Sequence, residues 1–228
     1  MATKILGVLG GMGPAASAEF MKILAARFPA DKDQEHPVVY LMSDPKIPDR
    51  STAVTSGGED PSPYLKADLD RLVAWGADVL AVPCNSAHCF IDKFRGSLKA
   101  PLVHIAEATL AAAEKAAPNG AWMVATLGTT RMGLYQELAR KSGYRLVVPP
   151  ENIQRQIQDI IIYVKSGDMK TAGCKMEAAV KALWEFEDMP VVTACTELPL
   201  AYDASPLPPE KNISSLDALA DACIEKIR

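Results

Sequence analysis

The sequence has no run approaching the roughly 20 consecutive apolar residues that a membrane helix needs. It also lacks the basic excess that would mark nucleic acid or an anionic membrane as a partner: 24 lysines and arginines face 28 aspartates and glutamates, for a net charge of -4. The apolar stretch from Ile5 to Met12 breaks at Gly10, Gly11, Gly13 and Pro14, which argues against a signal peptide. Cysteines are few and odd in number, Cys84, Cys89, Cys174, Cys195 and Cys223, without the density or spacing of a disulfide framework. These absences predict a cytoplasmic protein with reduced thiols. A zinc site is short of ligands too: Cys84, His88 and Cys89 form one cluster, but no C-x-x-C or histidine pair elsewhere completes a tetrahedral shell, so no metal is expected.

What is present is a chain of 228 residues, 49% hydrophobic, long enough for one large domain or two small ones. Short aliphatic runs at Lys4–Leu9, Val38–Met42, Asp78–Pro83, Leu102–Ile105, Trp122–Thr126, Arg145–Val148 and Val191–Ala194 read as strands. Amphipathic segments at Ala15–Phe28, Pro63–Trp75, Glu107–Ala117, Gly133–Lys141, Asn152–Lys165, Met169–Glu185 and Ser215–Ile227 read as helices. Most of the strands lack two-residue alternation, as buried parallel strands do, which makes this an α/β protein.

The pattern also repeats. A strand runs into a glycine-rich loop at Gly10–Gly13, and another runs into the small-residue loop Leu127–Thr130; each is followed by a strand that ends in a cysteine, Cys84 in V-P-C-N-S-A-H and Cys195 in T-A-C-T-E-L-P. The spacing is 73 residues from Gly11 to Cys84 and 67 from Gly128 to Cys195. Two similar halves, each a parallel sheet flanked by helices, are therefore expected. Ligands of open parallel sheets lie beyond the carboxyl ends of the strands, so halves packed about a pseudo-twofold axis would bring both cysteines to one cleft. The boundary is expected near Ala100-Pro101, giving domains 1–100 and 101–204, with the segment from about 205 to 228 returning to the first.

Three features invite a functional reading. Gly11, Gly13 and Ala16 fit G-x-G-x-x-A after a strand, but the nearest acidic residue after the next strand, Asp44, lies 31 positions beyond Gly13, too far for a dinucleotide fingerprint. Cys84 and Cys195 follow apolar runs rather than sit within them and precede Asn85-Ser86 and Thr196-Glu197, a setting in which a thiol can become nucleophilic or basic. Two prolines stiffen the loop that carries Arg50, and Lys165 ends a helix; both cations gain meaning if the cleft binds a carboxylate. Cys89, Cys174 and Cys223 fall in helical stretches and read as structural.

The series L-G-G-M-G-P, D-Q-E-H-P, I-P-D-R, G-E-D-P, P-C-N-S-A-H, A-T-L-G-T, Y-V-K-S-G-D and A-C-T-E-L-P resembles the aspartate racemase branch of the aspartate/glutamate racemase superfamily. The resemblance implies racemisation of acidic amino acids without pyridoxal phosphate, other cofactor or metal. It implies that Cys84 and Cys195 are the two acid/base residues, Cys84 acting on the D-isomer and Cys195 on the L-isomer, and that the enzyme is a homodimer. Inversion needs a base on one face of the α-carbon and an acid on the other, which a thiolate and a thiol supply. Substrate would be held by Met12, Asn85, Ser86, Thr129 and Thr196, with Arg50 and Lys165 on its side-chain carboxylate. Glu197 either binds the substrate ammonium or makes a structural hydrogen bond.

Two positions depart from the family pattern: Ser86 stands where a threonine is usual, and Ser214 where relatives commonly carry aspartate, which puts the role of Asn212–Asp217 in question. The same scaffold also suits a related decarboxylase or hydantoin racemase. A protein that binds an amino acid or nucleotide without turnover is the alternative from another class.

Overall fold

The computed structural model describes residues 3–228. Four strands, β1 (Leu6–Gly10), β2 (Val39–Ser43), β3 (Val79–Ala81) and β4 (Leu102–Val103), form one parallel sheet in the order β2-β1-β3-β4. Four more, β5 (Ala121–Val124), β6 (Leu146–Val147), β7 (Val191–Thr193) and β8 (Asn212–Ser214), form a second in the equivalent order β6-β5-β7-β8. The central strands β1, β3, β5 and β7 are buried at every residue, which is why none shows alternation.

Helices α1 (Pro14–Arg27), α2 (Arg50–Thr55), α3 (Ser62–Ala74) and α4 (Asn85–Ile91) accompany the first sheet. Then come α5 (Ile105–Ala116), α6 (Leu127–Met132), α7 (Leu134–Ser142), α8 (Glu151–Ser166), α9 (Met169–Phe186), α10 (Leu198–Asp203) and α11 (Ser215–Ile227). Periodicity explains the long ones. On α3, Leu65, Leu69 and Leu72 recur on one face and are fully buried. On α8, Ile153, Ile157, Ile160, Ile161 and Val164 form a stripe against Met176, Val180 and Leu183 of α9, and each such side chain contributes about 1.5–3 kcal/mol on burial. Val164 anchors the end of α8 in this core, so the next residue, the exposed Lys165, is carried to the cleft.

The expected domain boundary needs correction. Residues Leu102 and Val103 pair with β3, so the first sheet continues past Ala100-Pro101; Asn212–Ser214 pair with β7, so the second sheet continues past residue 205. Only α11 returns to the first half, packing its Leu216, Leu219, Ala220 and Cys223 with Phe20, Leu24, Val79 and Ala81. The N-terminal side is pinned to that helix by the Lys4 amide, which donates to the Ile227 carbonyl at 2.9 Å.

The first glycine loop owes its glycines to packing. Gly11 has φ +94°, and a Cβ there would lie 2.4 Å from the backbone of Asp44, so the loop folds directly onto the chain leaving β2. Only glycine fits such an approach.

Candidate active site

The two cysteines occupy equivalent places, each just beyond the third strand of its half. After β3 the chain turns at Val82-Pro83 and Cys84 becomes the N-cap of α4; after β7 it turns at Ala194 and Cys195, whose carbonyl accepts from the Leu198 amide at the start of α10. Both are buried and unpaired as disulfides. Cys84 and Cys195 line one cavity together with Met12, Arg50, Asn85, Ser86, Thr129, Lys165, Thr196 and Glu197, the full set expected from the sequence. Asp49, Ser51 and Thr126 line it as well and were not anticipated. Their signal was present in I-P-D-R-S and in A-T-L-G-T, where each of the three flanks a residue already singled out or closes a helix-capping pattern.

The cavity has a volume of about 20 Å³, room for roughly one water molecule and not for an amino acid. Beyond it lies an outer cleft of about 670 Å³, and Met12, Asp49, Arg50, Lys165 and Glu197 belong to both. Where α6 begins in the second half, a Cβ on Gly128 would come within 3.0 Å of Ser51 on α2 of the first. The halves therefore meet tightly over the thiols.

Electrostatics divide the cavity. Arg50 is buried, with Nη1 donating to the carbonyls of Ile47 and Pro48 at 3.1 and 3.0 Å and Nη2 to that of Met12 at 3.3 Å, while Nε has no partner. Among the described residues no carboxylate pairs with Arg50 or Lys165. Asp49, though adjacent, spends its Oδ1 on the amide and hydroxyl of Thr52, at 2.7 and 2.9 Å, capping α2. Burial would raise its pKa, but those bonds, with Arg50 and Lys165 nearby, hold it below the usual range. A buried cation without a counter-ion is costly, and an anionic ligand would offset that cost.

Glu197 dominates the other side. Its Oε2 accepts from the Cys195 thiol at 3.2 Å and from the Thr196 hydroxyl at 3.3 Å, while Oε1 is buried without a partner and faces Gly13. Burial first, and then this carboxylate, push the Cys195 thiol well above its ordinary range, with partial relief from the Glu197 amide. Both effects favour the neutral thiol at Cys195. The Cys84 sulfur has the Ser86 hydroxyl 3.7 Å away.

Besides Thr196, two expected donors are already engaged. The Asn85 amide donates from Nδ2 to Ser215 Oγ at 3.0 Å and accepts at Oδ1 from the buried Tyr135 hydroxyl, so its side chain positions the site rather than reaching freely into it. The Thr129 amide donates to Thr126 Oγ1 at 3.0 Å as part of the α6 cap, leaving its hydroxyl as the group free to donate inward. Tyr135 and Ser215 were missed because each acts through a bond spanning 50 residues or more. The segment Asn212–Asp217 has a structural role without an aspartate at 214: Ser214 accepts from the Asp217 amide at 3.2 Å and caps α11, presenting Ser215 to Asn85. Of the cysteines read as structural, Cys89 and Cys223 are buried but Cys174 is exposed on α9.

Comparison with known proteins agrees with this geometry. The model of the Asp/Glu/hydantoin racemase family matches residues 9–223. A broad-specificity amino-acid racemase of Bacillus subtilis is 26% identical over 214 residues, covering 87% of this chain and 88% of that protein. Among solved structures, the aspartate racemase of Picrophilus torridus superposes with a TM-score of 0.86 at 30% identity, over 98% of this chain and 94% of its own. Glutamate racemase from Campylobacter jejuni shares the fold, with a TM-score of 0.66 at 19% identity over 97% and 85% of the two chains. A family match spanning nearly all of the sequence, two equivalent parallel sheets and a thiol at the same place in each half lead to one conclusion: the chain belongs to the Asp/Glu/hydantoin racemase family.

Proposed function

We propose that this protein interconverts L- and D-aspartate, with glutamate as a second substrate, by moving the α-proton between Cys84 and Cys195 without a cofactor. The observation that carries the proposal is the pairing of two thiols from equivalent strand ends with a buried arginine that has no carboxylate partner, all in one cavity. The distal carboxylate of the substrate would supply the missing counter-ion for Arg50, with Lys165 closing over it from the cleft mouth. The likeness to the aspartate racemase of Picrophilus torridus supports aspartate as the first substrate to test. Action in the cytoplasm as a homodimer is part of the proposal.

Each thiol has a defined starting state or task. Cys195 holds a proton in the empty site, so when Cys84 removes the α-proton of the D-isomer, Cys195 returns one on the opposite face. In the reverse direction Cys195 must first ionise, which Glu197 opposes. The substrate ammonium, received by the unpartnered Oε1 of Glu197, neutralises that opposition, so binding itself prepares the base. As the α-carbon loses its proton, charge spreads onto the α-carboxylate, where the hydroxyls of Ser86 and Thr129 and the first amides of α4 are the fixed donors, the Thr196 hydroxyl being engaged by Glu197.

Proton NMR of L-aspartate in D2O with the purified protein and no added cofactor tests this. The α-proton signal is expected to disappear as D-aspartate forms, and racemisation to be abolished by either Cys84→Ser or Cys195→Ser. Absence of exchange with both isomers of aspartate and of glutamate would refute it.

A further inference from the structure

We infer that His88 is a positioning residue for Cys84: its ring holds the Val82 carbonyl, and through it the turn that presents the thiol. The inference rests on the proposed role of Cys84 as one of the two bases.

His88 lies one helical turn beyond Cys84 on α4, is fully buried, and is not among the residues lining the cavity. Its Nε2 stands 3.1 Å from the Val82 carbonyl oxygen. A carbonyl only accepts, so Nε2 carries the proton and Nδ1 is a bare acceptor. The same oxygen accepts the Cys84 amide at 2.8 Å. Two donors thus converge on one carbonyl across a three-residue turn centred on Pro83, whose fixed φ suits such a bend at a strand end. A turn closed by a single short-range bond is soft, and the His88 bond ties it to the body of α4.

The ring is itself held. It packs edge-on against His104 with centroids 4.4 Å apart. His104 Nδ1 accepts from the Glu107 amide at 3.3 Å, and its Nε2 lies 3.2 Å from Asp92 Oδ1. Burial, then the His104 ring, keep His88 neutral, as the donor role of Nε2 alone requires.

A residue serving only to fill this space would be apolar. His88 leaves Nδ1 buried without a partner, a cost on the order of 1–3 kcal/mol that leucine or phenylalanine would avoid. The second half shows the contrast. Cys195 is held directly, through its own thiol, by Glu197, and the residue four positions beyond it is Pro199, with no donor to offer. Cys84 has no comparable carboxylate, and its placement falls to the backbone behind it.

Three variants separate positioning from bulk. His88→Leu keeps volume without the donor, His88→Gln carries a donor of similar reach, and His88→Asn carries one that stops short of Val82. The asparagine keeps the comparison intact if the leucine does not fold. His88→Leu and His88→Asn are expected to lower kcat about 10- to 100-fold with KM little changed, and His88→Gln to recover most of the loss.

The signature that a general loss of stability would not produce is in the isotope effects. With Cys84 displaced, breaking the C–D bond of α-deuterated D-aspartate becomes more fully rate-limiting and the effect on kcat/KM rises. With α-deuterated L-aspartate, the slow step becomes reprotonation by Cys84, and the effect falls. Alkylation of the folded protein by iodoacetamide, read by peptide mass spectrometry, tests the placement independently of turnover. The rate at Cys84 should change in the leucine and asparagine variants and return in the glutamine, with Cys195 unaffected. Equal behaviour of the glutamine and asparagine variants, or wild-type kcat and Cys84 reactivity in His88→Leu, would overturn the inference. A wild-type protein that fails to exchange the α-proton would instead refute the racemase proposal, and the alkylation comparison would still judge His88.

Discussion

Replacing Tyr135 by phenylalanine removes one oxygen from a fully buried side chain and leaves its packing intact. That oxygen donates to Asn85 Oδ1 and so joins α7 of the second half to the residue after Cys84 in the first. Burial pushes the Tyr135 hydroxyl well up in pKa, so it is a donor across the accessible pH range. Without it a buried amide oxygen has no partner, a loss of about 1–3 kcal/mol. For a chain of this length that corresponds to a thermal midpoint lower by about 2–12 °C. Calorimetry of the wild type, Tyr135→Phe, Asn85→Ala and the double variant measures it. The two substitutions should be strongly non-additive, since the second removes the acceptor that the first leaves stranded. The variant should also loosen the contact between halves, so iodoacetamide should reach both Cys84 and Cys195 faster than in the wild type. An unchanged midpoint with additive single effects would show that the bond contributes nothing, and the reading of Asn85 as a bolted rather than a free side chain would fail.

Arg50→Lys keeps the charge but cannot satisfy three carbonyls and a carboxylate as the planar guanidinium fork does, so kcat/KM for aspartate should fall about 10- to 100-fold, measured by racemisation assays of the variant beside the wild type. Stability should also decline in alkali. Above the ordinary thiol value of 9.0 the unfolded chain releases the Cys195 proton while the folded chain retains it, so stability present below that pH is lost as pH rises through it. Cys89, raised to about 12 by burial and the Asp92 charge, adds a loss of the same sign. Thermal midpoints from pH 7 to 10.5 should therefore fall less steeply in Cys195→Ala than in the wild type, and parallel curves would refute the assignment.

The strands and long helices were legible because their signals are local. Seven apolar runs mark seven of the eight strands to within a few residues, and the stripe on α8 can be read directly from the isoleucine spacing. The eighth strand, Asn212–Ser214, was missed as a strand because three residues with two polar side chains carry no apolar run; it exists by pairing with β7. That one omission, together with counting Leu102–Val103 in the wrong half, displaced the domain boundary. The short helices α2, α6 and α10 were likewise invisible to periodicity, since six residues give less than two turns. The cavity residues were identified through motifs rather than pattern. What motifs do not encode is which groups are already spoken for: the Asn85 amide and the Thr129 N–H looked free until their partners, Tyr135, Ser215 and Thr126, were placed beside them.

A cavity with room for about one water has a consequence for how the enzyme resets. In the proposed reaction the product departs from a protein whose two sulfurs have exchanged protonation states, and another turnover in the same direction requires them to exchange back. That exchange runs either through the single water the cavity can hold or through bulk solvent reached by way of the outer cleft. By the second route the outer cleft serves both the traffic of substrate and the erasure of the memory of the last turnover. At high substrate concentration the molecule that enters first finds an enzyme still set for the reverse reaction, and net flux becomes limited by the idle protein rather than by the chemistry at the α-carbon.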